Sequence, residues 1–580
     1  MTRARKRSFR IIKKSKIIPV VDIFAGAGGL GEGFASLSGQ NGIKFDISLS
    51  IESNASACET LLLRSFFRRS SGNARKDYYR YVNGAMSLQD LYAAHRELHE
   101  ECKREVWEVT LGGEGFSEDE LHRRVEEAIG GSSDWILIGG PPCQAYSTAG
   151  RARNKGKADY DPGNDNRHFL YQEYLRIISK HWPTVFVMEN VPGILSSKAG
   201  GKNRIFEKIH SDLHDPCGAI GSGTEGGKNK TRRHYYHIRP LDPDVIQKHD
   251  LFGRDYHRAS DFILNCEEFG VPQTRQRVVL VGIRDDVTDA RPLLHRPCGD
   301  RVSVKEAIEG LPKLRSGLSR SDRVRNYPDE EDEKGIWQHA LQTALNSPWL
   351  DELDKYDDAD LIEEIKKVVE RKCNGYKRIP STRGGDLVRK GINYKPLEGR
   401  KDLCSFISDK KVKCVRNHWT REHMLSDLHR YLFVSVFGEV RGYSPKLRDF
   451  PETLLPKHRN VDKALSNDNF ADRFRVQVWN QPSTTVVSHL SRDGHYFIHP
   501  DPKQCRSISV REAARLQTFP DNYVFFGNRG DQYVQVGNAV PPWFAMQIAA
   551  SVAELFESAI LPTRSSSGYK TRITGDRQIA

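Results

Sequence analysis

The segment KIIPVVDIFAGAGGLG, residues 16–31, constrains the fold more than any other stretch of the chain. A run of β-branched residues reads as a buried strand. The glycines behind it allow a turn tight enough to bring bare backbone against a ligand before a helix starts near Gly29. Similar apolar runs recur at 46–52, 135–140, 184–190, 262–265 and 277–283, bounded by Gly, Pro or Asn and separated by amphipathic stretches. This alternation predicts a doubly wound α/β sheet with further helices near Ala55 and Asn166. Gly26, Gly28 and Gly31 satisfy G-x-G-x-x-G, and Glu52 ends the second strand, where a ribose would be bound. Taken alone, the pattern suits a nicotinamide enzyme equally well.

Three other segments carry chemistry. Gly139-Gly140-Pro141-Pro142-Cys143-Gln144 follows the strand WILI and puts a cysteine at the carboxyl edge of the sheet, where ligands of open α/β sheets bind. A nearby helix N-terminus or arginine would lower its pKa enough to supply thiolate. The rival reading, an inert core cysteine, more usually sits within an apolar periodic run. Glu189, in MENVP, ends another strand on the same edge and is placed to act as an acid, the rival being a helix cap or surface ion pair. Gln273-Thr-Arg275-Gln-Arg277 precedes a further strand and presents its two arginines to one face, or else forms a solvated charge cluster.

The set matches the needs of cytosine. Its carbon 5 is a poor nucleophile until a thiolate adds to carbon 6 while an acid on ring nitrogen 3 takes up the developing charge. Cys143 would supply the thiolate and Glu189 the acid, with Arg275 and Arg277 holding the base oxygen or a phosphate. The base that removes the carbon 5 proton is not identified.

At this point the chain resembles the cytosine-5 DNA methyltransferase family of prokaryotic restriction-modification type. DIFAGAGG, IES (51–53), GGPPCQAYS, ENV, QTRQR, REAARLQTFP (511–520) and QVGNAVP (535–541) match its motifs in family order. The resemblance implies S-adenosylmethionine as methyl donor, with Phe24, Gly26, Gly28, Glu52, Leu170, Asn538 and Val540 lining its site. It further implies a double-stranded DNA substrate whose cytosine is flipped out of the helix. It also implies a protective role beside a restriction endonuclease, in a monomeric cytoplasmic protein. Ser53 stands where the family often has an aromatic residue, the acidic residue of the third motif is not found near Gly84, and Tyr146 replaces Phe. RNA as acceptor, or a catalytically silent DNA-binding protein, are the alternatives.

The organisation expected is a basic arm at 1–16 and a catalytic domain at 17–290 with surface insertions near 67–130 and 218–233. A second, smaller and irregular target-recognition region follows at 291–505, then C-terminal motifs returning to the catalytic domain at 506–560 and a disordered tail at 561–580. An excess of 89 Lys and Arg over 76 Asp and Glu suits a polyanionic partner without proving one. Ten cysteines without a C-x-x-C pair suggest neither a disulfide framework nor a zinc ribbon, so no metal is expected. No apolar run behind the arm is long enough for a membrane span. The loop 145–166, with Arg151, Arg153, Lys155 and Lys157, fits a flap that meets DNA phosphates. Thr484, Thr485 and the run NHWTREH at 417–423 are candidates for reading bases, with core packing the favoured role for Trp419.

Overall fold

This computed structural model describes residues 15–37, 42–142, 170–196, 205–221, 233–245, 248–249, 255–287, 292–296, 299–328, 332–373, 380, 382–389, 397, 399–457, 461, 465 and 472–558. The basic arm, Cys143, most of the 218–233 stretch, the 145–166 loop and the C-terminal tail therefore lie outside the described residues.

All six expected strands form. β1 (Lys16–Ile23), β2 (Ile43–Glu52), β3 (Val106–Glu108), β4 (Ile136–Gly139), β5 (Val185–Asn190), β6 (Tyr236–Arg239), β7 (Ile263–Asn265) and β8 (Gln276–Arg284) make one sheet. Its order is β3-β2-β1-β4-β5-β8-β6, with β7 paired to β8. β8 runs antiparallel to both β5 and β6, and the strands from β3 to β5 are parallel. The central strands are apolar on both faces because helices cover both. In β1, Ile18 and Val20 enter one core cluster with Phe34, and Val21 and Ile23 enter another with Leu49 and Tyr174.

α1 (Gly29–Ser36), α2 (Ala55–Arg69), α3 (Gly72–Val82), α4 (Glu118–Ile129) and α5 (Leu170–His181) flank the first five strands. The 67–130 stretch is not the surface insertion expected. It contains β3, which extends the sheet, and α3, whose Tyr78, Tyr81 and Val82 share a core cluster with Leu63, Phe66, Val412 and Val524. Its charged outer faces hid that core from a reading of composition.

The region beyond 290 also differs from expectation. Rather than irregular, it carries a helical lobe built on α6 (Glu333–Leu345), α7 (Ala359–Cys373) and α8 (Leu425–Arg441). Trp337, Leu341, Ile365 and Tyr431 belong to the lobe's own core. An antiparallel pair of β9 (Gly384–Arg389) and β10 (Cys414–Trp419) packs on the catalytic side, where Arg416 donates to the Tyr81 and Val82 carbonyls. The chain then returns through α9 (Val510–Leu516), α10 (Arg529–Asn538) and α11 (Pro542–Ser558). α11 lies against α1, an approach that Gly33 permits: a Cβ there would sit 2.3 Å from the Ala545 Cβ. The C-terminal motifs thus rejoin the large sheet domain. No helix among the described residues is long and apolar enough to cross a membrane.

Candidate active site

The glycine turn after β1 is held open. Phe24, Gly26 and Gly28 have φ of 55°, 57° and 78°, a left-handed conformation in which glycine is at ease and phenylalanine is strained. A Cβ on Gly26 would have nothing within 4 Å, so the backbone faces open space. Gly26 N–H donates to Glu52 Oε2 at 2.8 Å and Asn54 N–H donates to Glu52 Oε1 at 2.9 Å, fixing the carboxylate beside the turn. Asn54 also caps α2 by accepting from Ala57 N–H. The Val540 carbonyl lies 2.2 Å from where a Gly29 Cβ would stand, so the C-terminal segment does close over the turn. Asn538 is exposed at the end of α10, and Leu170 is part-exposed in the first turn of α5.

Two acidic residues here went unassigned from sequence. Glu108 pairs in register with Glu52 on the neighbouring strand, at the same carboxyl edge. It follows a helical stretch of some fifty residues, whereas the acidic residue of the third motif was sought near Gly84. Asp22 is buried, and among the described residues neither carboxylate oxygen has a well-aligned hydrogen-bond partner. Burial pushes its pKa up to about 8, with Arg68 pulling it down, Glu52 adding to the rise and the Gly31 N–H, the nearest hydrogen-bonding help, lowering it slightly. An edge so rich in carboxyl groups, around an open glycine cradle, fits a ligand with ribose hydroxyls and a cationic sulfonium, as S-adenosylmethionine has.

The second half of the site lies at the ends of β4 and β5. Gly140 runs so close to Glu189 that a Cβ would be 2.9 Å from Oε2. Asn190 Nδ2 donates to the Pro141 carbonyl at 3.2 Å. The chain leading to Cys143 is therefore pinned beside Glu189 and Asn190 as far as Pro141. Glu189 is 9% exposed and ion-paired with Arg277. Burial raises its pKa above the ordinary carboxylate range, against the pull of Arg277.

The two arginines of QTRQR part company. Arg277 Nη1 donates to the Gln276 carbonyl and its Nε faces Glu189. Arg275, fully buried, donates from Nη1 to the Val486 carbonyl at 2.7 Å and from Nη2 to the Gly537 and Ala539 carbonyls. It does not join the Glu189–Arg277 pair, contrary to expectation. Strand β8 begins only at Gln276, so the period-two alternation that would align both side chains does not extend to Arg275. Gln273 shares its structural duty, donating to the Leu516 carbonyl and accepting from Val486 N–H.

Beside Arg277 opens a cavity of about 480 Å³ lined by Val191, Pro192, Gly193, Glu267, Thr274, Gln276, Arg277 and Thr485. Thr485 is thus placed at the site. Trp419 is half-buried under the Arg529 guanidinium, 5.3 Å from the ring centre. His418 and His423 of the NHWTREH run are buried among Ser509, Pro312, Tyr431 and Ser507, so that part of the run joins the lobe to the sheet domain.

Residues 116–216 and 243–554 match the family model described as C-5 cytosine-specific DNA methylase. The chain is 30% identical over 555 residues to the type II methyltransferase M.Bpa9945I of Bacillus paralicheniformis, covering 92% of this chain and 98% of the relative. It is 25% identical over 442 residues to the type II methyltransferase M.AgeI of Thalassovita gelatinovora, covering 74% and 86% of the two chains. It is 24% identical over 452 residues to the DNA (cytosine-5-)-methyltransferase M.ApeKI of Aeropyrum pernix, covering 73% and 82%. With an acid paired to an arginine at the carboxyl edge of the sheet, a glycine cradle beside them and a family match over most of its length, the chain belongs to the C-5 cytosine-specific DNA methylases.

Proposed function

We propose that the protein methylates carbon 5 of cytosine within one duplex DNA sequence through a covalent adduct on Cys143. The observation that carries this assignment is the buried Glu189–Arg277 pair held against Gly140, three residues before Cys143. In this reading Glu189, in its protonated form, donates to ring nitrogen 3 of the extruded cytosine, and Arg277 donates to the base oxygen. The Cys143 thiolate would bond to carbon 6, and the electron pair released from the ring double bond would form the bond from carbon 5 to the methyl group as that group's bond to the donor sulfur breaks, leaving S-adenosylhomocysteine. Loss of the carbon 5 proton to a base then restores the double bond and expels the thiolate. S-adenosylmethionine, once bound, supplies an electrophilic methyl group. Phe24, Gly26, Gly28, Glu52, Leu170, Asn538 and Val540 are the residues proposed to hold it, with Glu108 added to them. Arg275 is proposed as a positioning residue that secures the C-terminal segment rather than as a partner of the base.

The names of the relatives support a role in a type II restriction-modification system, with a cognate endonuclease acting on the same sequence. The protein would then act as a cytoplasmic monomer on host DNA. The lysines and arginines of the 145–166 segment would meet its phosphates. Bisulfite sequencing of DNA from cells expressing the protein tests the assignment. Protected cytosines at one position of one recurring sequence are expected, and uniformly converted cytosines would refute it.

A further inference from the structure

The cavity beside Arg277 has a polarity that neither the catalytic roles nor the family match accounts for. Thr274 Oγ1 donates to the Ser483 carbonyl at 3.1 Å, and Thr485 Oγ1 donates to the Thr274 carbonyl at 2.5 Å. Gln276 Nε2 donates to Asn265 Oδ1 at 3.0 Å. The two threonines thereby turn their hydroxyl hydrogens into the protein and keep oxygen lone pairs for the cavity, while Gln276 commits one of its two amide hydrogens to Asn265. Glu267 contributes only acceptors when ionised. Its Oε2 takes the Arg275 N–H at 3.1 Å and its own backbone N–H helps, so among the described residues part of the carboxylate's capacity is unused. Half-burial pushes its pKa up, with the backbone and Arg301 opposing. Arg277 is the single cation in the lining, and it is already paired with Glu189.

Such a lining is wrong for a phosphate, which accepts hydrogen bonds and is repelled by a carboxylate. It is right for a base edge that donates, as the exocyclic amino groups of cytosine, adenine and guanine do. The extruded cytosine is assigned to Glu189 and to Arg277, which also lines this cavity, so the acceptors of Glu267, Thr274, Gln276 and Thr485 are left without a catalytic role. We propose that the cavity is a subsite for a base next to the target cytosine, and that Glu267 is a specificity-determining residue accepting a hydrogen bond from that base's exocyclic amino group. The inference rests on the assignment of duplex DNA as substrate. Glu267 is tied through Oε2 to the backbone N–H of Arg275, the residue just before β8, which holds the acceptor near Arg277.

The test uses the full chain and its own target sequence. Methylation of the natural duplex by the wild-type protein comes first; its failure would overturn the substrate assignment rather than this subsite. Each non-target base of the site is then replaced in turn by the analogue lacking its amino group: pyrimidin-2-one for cytosine, purine for adenine, hypoxanthine for guanine. One replacement is expected to lower wild-type kcat/KM about tenfold to a hundredfold. Glu267→Ala should lose a similar factor on the natural duplex, lose little more on that analogue, and bind the cofactor with unchanged Kd. Glu267→Gln, which keeps an acceptor oxygen, should recover part of the loss. The proposal falls if both variants bind and methylate every duplex as well as wild type or better, which would make the carboxylate a mere repellent of phosphate. It falls equally if the losses from variant and analogue multiply at every position.

Discussion

Glu189–Arg277 and Glu512–Arg506 are both buried acid–arginine pairs, yet the protein treats them differently. Glu512 accepts from Arg506 Nη1 at 2.7 Å and Nη2 at 2.6 Å and also from Ser509 N–H, while Arg506 Nε and Nη2 reach Gln504. Burial would raise the pKa of Glu512, but Arg506 outweighs it and holds the carboxyl far below the usual range. Among the described residues Glu189 is paired only with Arg277, beside an open cavity, and burial wins, so its pKa rises. The sealed pair is saturated with hydrogen bonds and fixes the junction of the helical lobe with α9. The open pair retains capacity for a substrate. Unspent hydrogen-bonding capacity, rather than buried charge as such, separates a reactive site from a structural one.

Changing each acid in turn sharpens that contrast. Glu189→Gln keeps the shape and removes the proton donor, so kcat for methyl transfer should fall about 10²- to 10⁴-fold with little change in Tm. Because its folded pKa is raised, wild-type activity should also be lost as pH rises through that value, a limb absent from the variant's pH profile. Glu512→Gln should do the opposite. Leaving a buried guanidinium short of a partner costs about 3–5 kcal/mol, a fall in Tm on the order of 10 °C by calorimetry, with KM for cofactor and DNA held by the folded fraction.

The sealed junction should also respond to acid. Burial first, then nearby arginines, lower His418 to about 4 and His499 to about 3, against the pull of Glu512. A histidine with a depressed folded pKa takes up protons on unfolding, so its stabilisation is intact above pH 6.5 and lost as pH falls toward 4. Tm measured between pH 7.5 and 5 should drop by several degrees, and a flat profile would break the account of the junction. The smallest effect is expected at Asp22. With its folded pKa raised to about 8, this carboxyl must take up a proton on folding at neutral pH, and its contribution fades as pH rises through that value. Asp22→Asn should raise Tm by a few degrees at pH 7 and leave it unchanged near pH 4.

Sequence reading reached the elements in which local chemistry and global position agree. The β-branched run before Gly26 reads as a strand, and Glu189 reads as a strand-end acid, because each signal is contiguous. β3 escaped because three residues, Val106–Glu108, carry too little pattern and follow a long helical stretch. The helical lobe escaped because Trp337, Ala340, Leu341 and Ala344 form a buried face on a segment flanked by charge. Arg275 and Arg277 look alike in sequence, and only the packing of the 486 and 537–539 carbonyls separates them. Segments around 192, 267, 276 and 485 build the cavity beside Arg277, and no local pattern foretells such an assembly.

The most direct test places 5-fluorocytosine at the target position of the duplex, where fluorine blocks release of the carbon 5 proton and should trap the adduct. With S-adenosylmethionine present, a denaturant-stable protein–DNA conjugate is predicted, mapped by mass spectrometry to Cys143 and missing in Cys143→Ala. A conjugate mapped to another residue, or one formed equally by Cys143→Ala, would contradict the account.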